Sequence, residues 1–216
     1  MKKIIFGTLS VALLAVTVTS CGKTSTGKMA NEWKVSSYNS VATEIETNGD
    51  KTVTTTTMTE TASTVTEVET SGSNSQTSTS AATVKANDMA IEKDGTWTWT
   101  TGLSATNGNV TQTSNVVRSG TWSFVSKTKG DEFKKNERVI FNVLAENSTG
   151  SSTVGSITTS STNNSTYLAG ENVMVFTVKE SKKDELQLEM DAKNTYTSGN
   201  NSSSYTETQS FTLTGK

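Results

Sequence analysis

One side chain in this sequence has the chemistry of a strong nucleophile. It is Cys21, the only cysteine of 216 residues, and the chain contains no histidine. Without histidine there is no Ser-His-Asp triad and no His-ligated zinc, and a single thiol cannot build a Cys-ligated zinc site. A single cysteine also forms no disulfide within the chain. The carboxylates that could pair for glycoside hydrolysis, Asp94, Glu171, Asp184 and Glu185, all fall at turn signals, where they read as solvated. Asp131-Glu132 and Asp184-Glu185 lack the spaced oxygen ligands of a calcium loop. Lys127-Thr128-Lys129 and Lys134-Lys135 make a small basic cluster that reads as a solvated loop. No glycine-rich phosphate loop follows a strand signal. No catalytic residue, cofactor or metal is expected, and the chain reads as a non-enzyme.

The context of Cys21 explains its use. Met1-Lys2-Lys3 is a short cationic start, and residues 4–18 are mainly apolar but too short to span a bilayer comfortably. Val18-Thr19-Ser20-Cys21 then resembles the bacterial lipobox: an aliphatic residue, two small residues and a cysteine. That resemblance implies a helical signal peptide over residues 1–20, cleavage after Ser20, and lipid (palmitate among the acyl chains) on Cys21. Two or three acyl chains, at about 0.8 kcal/mol per buried methylene, would hold the protein on a membrane. Lipidation would also consume the one thiol. Residues 21–30 are small, polar and lysine-dotted, and read as a flexible tether.

The formal charge is −2, and no basic block remains beyond the signal, so nucleic acid is not an expected partner. Apolar residues make up 31% of the chain, which implies a thin core. Residues 31–216 read as one all-β domain. Trp33 and Val35 share one strand face, as do Met89, Ile91, Trp97 and Trp99, and again Trp122 and Phe124. Leu186, Leu188, Met190 and Ala192 alternate with polar residues, and Tyr205, Phe211 and Leu213 share parity on a last strand. The Thr-rich run between Val41 and Val84 predicts two or three long polar strands; its rival reading is a disordered Ser/Thr stalk. Asn48-Gly49 predicts a type I′ hairpin, with further turns near Gly72, at Asn107-Gly108 and at Asn163-Asn164. About eight to ten strands with short turns predict an up-and-down antiparallel barrel. With no proline anywhere, no strand edge is blocked by that residue, which favours closure. Strands this rich in hydroxyls and carboxylates do not suit an outer-membrane barrel.

Trp97, Trp99, Trp122 and Phe124 can be read in two ways. They can line an apolar ligand cavity, or they can simply be core. Gly95-Thr96-Trp97 and Gly120-Thr121-Trp122 echo each other and read as recurrent strand-entry chemistry.

The series formed by Trp33, Lys93-Asp94-Gly95-Thr96-Trp97, Ser119-Gly120-Thr121-Trp122-Ser123-Phe124, the strand Val139 to Leu144 and Lys182-Lys183-Asp184-Glu185-Leu186 resembles lipocalin-like lipoproteins of the Bacteroidetes. The resemblance covers about residues 33–213 and implies a small barrel, often with a cavity, on a lipid anchor. The expected function is a lipid-anchored envelope protein that binds or carries a small apolar ligand. The other reading is a non-catalytic envelope interaction protein or adhesin without a cavity. The expected location is the outer membrane, facing the periplasm, because Gly22 is not the aspartate of inner-membrane retention and residues 22–30 lack an acidic export run; exposure on the cell surface is the other reading. Ligand identity and oligomeric state are left open by the sequence.

Overall fold

The computed structural model describes residues 25–125, 137–198 and 201–216. The signal sequence, Cys21 and the basic cluster at 127–135, with Asp131-Glu132, lie outside the described residues. After one helical turn, α1 (Ser25–Met29), the described residues form eleven strands: β1 (Asn31–Ile45), β2 (Lys51–Thr59), β3 (Ala62–Ser71), β4 (Asn74–Ile91), β5 (Thr96–Asn107), β6 (Val110–Val125), β7 (Glu137–Val154), β8 (Ile157–Thr166), β9 (Val173–Ser181), β10 (Glu185–Ser198) and β11 (Asn201–Gly215). Every pairing among the described residues is antiparallel, and neighbours follow chain order, as an up-and-down barrel requires, except that β9 pairs with β7 and not with β8. The Thr-rich segment is paired strand, not a stalk. Of the expected tether, Ser25–Met29 is helical, and Met29 is fully buried.

The sheet closes on itself twice. A circuit of ten strands runs from β1 through β7, then β9, β10 and β11 back to β1. At one end β1 also pairs directly with β4, Asn31 against Ile91 through Lys34 against Asp88, which bypasses β2 and β3. That end is therefore a ring of eight strands, while the other end carries the extra β2–β3 hairpin. Beside β7 the strands change over. β9 pairs with its lower half, Glu137–Asn142, and β8 with its upper half, Ala145–Val154.

Turn chemistry sets this register. Three hairpins at the wide end use two-residue loops, Gly72-Ser73, Gly108-Asn109 and Gly155-Ser156, each with φ near +58° at the glycine. A positive φ at the first loop position is the type II′ pattern, whose twist matches that of the strands. Asn48-Gly49 departs from the expected type I′ turn, because only Gly49 takes a positive φ. The Gly49 amide donates to the Glu46 carbonyl and the Glu46 amide to Asp50, giving a type I turn followed by a glycine bulge. Glu92 to Thr96 repeats that arrangement at the narrow end. Asn163-Asn164 is not a turn either; both residues lie inside β8, and the chain reverses at Gly155 instead.

Bulges occur at Val35/Ser37, Val84/Ala86, Ser119/Gly120 and Gln187/Leu188. Each adds twist and bends its strand, which helps a narrow ring to close. At the third of these, the β6 and β7 backbones approach so closely that a Cβ on Gly120 would overlap the Asn142 carbonyl. Glycine is the residue that permits this crossing.

The core fills the narrow ring. Trp33, Val35, Met89, Ile91, Trp97, Trp122, Val139, Phe141, Phe176, Leu186, Leu188, Phe211 and Leu213 are buried there, all on inward parity. Trp97 meets Phe141 edge-on at 5.1 Å between centroids, and Phe141 meets Phe176 at 5.9 Å. Burial of each such side chain contributes about 1.5–3 kcal/mol, so this half carries most of the stability. All four indole N–H groups are satisfied. Trp33 donates to the Met29 carbonyl, which pins α1 under the ring. Trp97 donates to Asn142, Trp122 to Glu92, and Trp99 to the Asn87 side chain.

Candidate functional site

Carrying the inward parity upward from the core shows what lines the wide half. On β1 it runs through Tyr38, Ser40, Ala42 and Glu44; on β2 through Met58, Thr56, Thr54 and Thr52. On β3 it runs through Ser63, Val65, Glu67 and Glu69, and on β4 through Val84, Ala82, Ser80 and Ser78. β6, β7 and β8 add Arg118, Ser114 and Gln112, then Glu146, Ser148 and Ser152, then Ser161 and Thr159. These side chains are too short to meet across the wide half. The result is an open chamber of hydroxyls and carboxylates above an aromatic plug. One cavity against its wall measures 460 Å³ and includes Ala82, Leu103, Ala105, Gln112, Ser152 and Thr159 in its lining. That is within the size range of small-ligand sites.

The chamber floor is the layer where plug and chamber meet. Tyr38, Trp99 and Phe211 form it, with centroids 4.7 Å apart for Tyr38–Phe211, 5.3 Å for Trp99–Phe211 and 6.3 Å for Tyr38–Trp99. The Arg118 guanidinium lies 5.3 Å above the Trp99 ring and pairs with Glu146 at 2.6 Å. A cation over an indole face is favourable and holds Trp99 in place. Three buried polar residues, Ser40, Ser63 and Asn87, also sit at this level. The Asn87 carbonyl oxygen accepts from Trp99 at 2.9 Å.

A second polar group surrounds Glu207 on β11. Ser40, Tyr205 and Gln209 each donate to its carboxylate at 2.8 Å. Burial opposes ionisation of Glu207, but the hydrogen bonds from Gln209, Ser40 and Tyr205 together hold its carboxyl below the usual range. Burial, the hydrogen bond to Glu207 and that residue's charge push the Tyr205 phenol up to about 12. Burial is also the main cause that raises Tyr38. Glu44, Glu67 and Glu69 face the same space from the adjoining strands, so this wall is acidic.

The residues singled out from sequence take the following places. Trp97 and Trp122 are packed in the plug, with 1% and 8% of their surface exposed, and Phe124 packs against it half-buried. Trp99 closes the chamber floor. The four aromatics are thus gathered on the inner face, and only Trp99 meets the chamber floor. Asp94 accepts from the Thr96 amide and hydroxyl, which hold its carboxyl low and fix its own turn. Glu171 accepts from the Leu168 amide in the β8–β9 connection, and Asp184 offers its carbonyl to Gly215. None of these three carboxylates faces another across a cleft. Among the described residues no group of three or more His, Cys, Asp or Glu side chains could hold a metal ion. Tyr38, Ser40, Arg118, Glu146 and Glu207 were not singled out from sequence. A weak signal existed for Glu207, which shares parity with Tyr205, Phe211 and Leu213.

Comparison with protein families, with curated proteins and with solved structures finds no match to this chain.

Proposed function

We propose that the chain is a lipid-anchored, non-catalytic envelope protein whose barrel binds a small polar molecule in its open chamber. One observation carries this reading. The apolar side chains are concentrated in the eight-strand ring, and the space above it is walled by Ser, Thr, Gln and Glu. The aromatics that sequence offered as cavity lining are largely occupied in the plug, so a hydroxyl-bearing molecule fits the space better than a fatty acid. Glu44, Glu67, Glu69 and Glu207 further disfavour anionic ligands.

The anchor fits the same picture. α1 enters beneath the narrow ring, with Lys28 on the Ser181 carbonyl. A lipid on Cys21, four residues before Ser25, would lie within about 14 Å of that end. The chamber mouth would then point away from the bilayer, open to the periplasm.

Native mass spectrometry of the purified protein tests the ligand, with Trp99 fluorescence as the second probe. A polar co-purified mass, with no saturable response to fatty acids, is the expected result. A bare mass together with saturable quenching by fatty acids would replace the polar reading with the apolar one. A bare mass with no response to either class would favour the interaction-protein reading, which the exposed hairpins support. Palmitate labelling that is lost in Cys21→Ala tests the anchor.

A further inference from the structure

We propose that the chamber takes a small polyhydroxylated molecule carrying a cationic nitrogen, held on the wall formed by β11, β1, β2 and β3. This rests on the reading of the chamber as a site for a polar molecule, and adds the charge of that molecule. The register sets four carboxylates on this wall in two neighbouring rows. Glu207, Ala42, Thr54 and Glu67 lie side by side in one, and Tyr205, Glu44, Thr52 and Glu69 in the next. The side chains between the acids, Ala42, Thr54 and Thr52, are short and leave the space in front of the strands open. From the strand spacing and rise, the backbones of Glu44 and Glu69 stand about 10 Å apart, and those of Glu67 and Glu69 about 7 Å apart. Like charges at such distances repel, and physiological salt, with a Debye length of about 8 Å, screens them only in part.

The wall does not offset these charges itself. None of the four carboxylates makes an ion pair among the described residues. Lys51 on β2 stands on the outward parity, paired with Ile45. Arg118 on the chamber floor is already taken by Glu146. Glu207 is also held ready as an acceptor. Ser40, Tyr205 and Gln209 donate to its carboxylate, which fixes the oxygens and keeps the group ionised. An ionised carboxylate near the half-buried Tyr38 ring suits an ammonium group, which gains an ion pair and the negative face of the ring. A second vacancy, independent of charge, lies at the floor. Asn87 faces inward and is 2% exposed; its Oδ1 accepts from Trp99, and its Nδ2 has no acceptor among the described residues. A buried donor without a partner is costly, and an oxygen supplied by a ligand removes that cost. The chamber thus lacks an acceptor at one point and a cation at another. A molecule with hydroxyl oxygens and one ammonium group supplies both.

Sorbitol, its cationic analogue N-methylglucamine and its anionic analogue gluconate separate charge from hydroxyls. Calorimetric titration of the full chain, purified in detergent at low salt, should show N-methylglucamine binding about tenfold tighter than sorbitol, or more, with gluconate weakest. Added salt should narrow that gap. Glu207→Gln, which keeps an oxygen for the Ser40 and Tyr205 donors, should cut the preference for N-methylglucamine to below about threefold. The double variant Glu67→Gln with Glu69→Gln lies away from that hydrogen-bonded group. It should narrow the preference too, and it carries the test if Glu207→Gln does not fold. Equal affinity for the probes, tighter binding of sorbitol or gluconate, or a cation preference that survives the substitutions overturns the proposal and leaves the polar chamber standing. Binding of none of them also overturns it, and the polar chamber falls with it only if the native mass is bare.

Discussion

β4 runs the full height of the barrel, and its two ends have different surroundings. From Val84 to Ile91 its inward residues are buried, while from Asn74 to Ala81 both faces are exposed. β7 repeats the contrast: Val139, Phe141 and Val143 are closed in, and Ser148 to Val154 are not. Both halves have the same backbone ladder, so hydrogen bonding does not separate them. Ring size and side-chain volume do. Eight strands enclose a space that Trp and Phe fill, whereas the wide half, with the β2–β3 hairpin added, surrounds one that Ser and Thr cannot fill. Stability is therefore concentrated in the narrow ring, and the wide half is left with open space and cross-strand hydroxyl pairs.

The contrast can be broken most strongly in the plug. Phe141→Ala should cost about 3–5 kcal/mol in urea denaturation, because it leaves a void against Trp97 and Phe176. Ser152→Ala on the chamber wall should change stability by less than about 0.5 kcal/mol. Equal losses at the two positions would remove the distinction between the halves. Gly120→Ala should cost about 2–3 kcal/mol, since the added carbon meets backbone and not a movable side chain. Trp99→Phe tests the boundary layer. It leaves the Asn87 carbonyl buried without its donor, at a cost of about 1–3 kcal/mol.

A smaller effect follows from the Glu207 group, read as stability against pH. Glu207 titrates below the normal carboxylate range when folded, so its contribution is present above about pH 4.3 and fades as pH falls through its lowered value. Glu207→Gln should flatten that acid limb. Tyr205 is shifted the other way, to about 12. Its contribution holds below about pH 10 and is lost as pH rises towards the folded value. Tyr205→Phe should abolish that alkaline loss. The smallest effect is expected outside the barrel, where the Thr66 and Thr79 hydroxyls lie 3.4 Å apart. Thr66→Ala should cost only about 0.2–0.5 kcal/mol by thermal melting.

Much of the plug was legible from alternation. Met89, Ile91, Trp97 and Trp99 were placed on one face, as were Leu186 and Leu188, because a period of two leaves little choice once large apolar residues occupy one parity. The chamber was harder to read. Glu67 and Glu69 interrupt a Thr-rich run, and neither parity of β3 is apolar enough to mark an inside. Arg118 and Glu146 become partners only because β6 lies beside β7. Turn identity was partly legible: Gly72 and Gly108 were marked, but Asn163-Asn164 was given the reversal that Gly155-Ser156 makes. A two-residue loop beginning with glycine forms a tighter hairpin than an Asn-Asn pair whose residues both take strand geometry.

By itself, the sequence determined the fold class and ruled out chemistry that needs histidine. A chain with one cysteine and no histidine is poor in catalytic options, and its alternating strands and lack of proline dictated an antiparallel all-β domain. The division of the barrel was decided by tertiary structure. Whether a serine lines a chamber or an indole plugs a ring depends on how many strands surround it. That number is set by long-range pairings, β1 with β4 and β7 with β9 in place of β8, which local propensity does not encode.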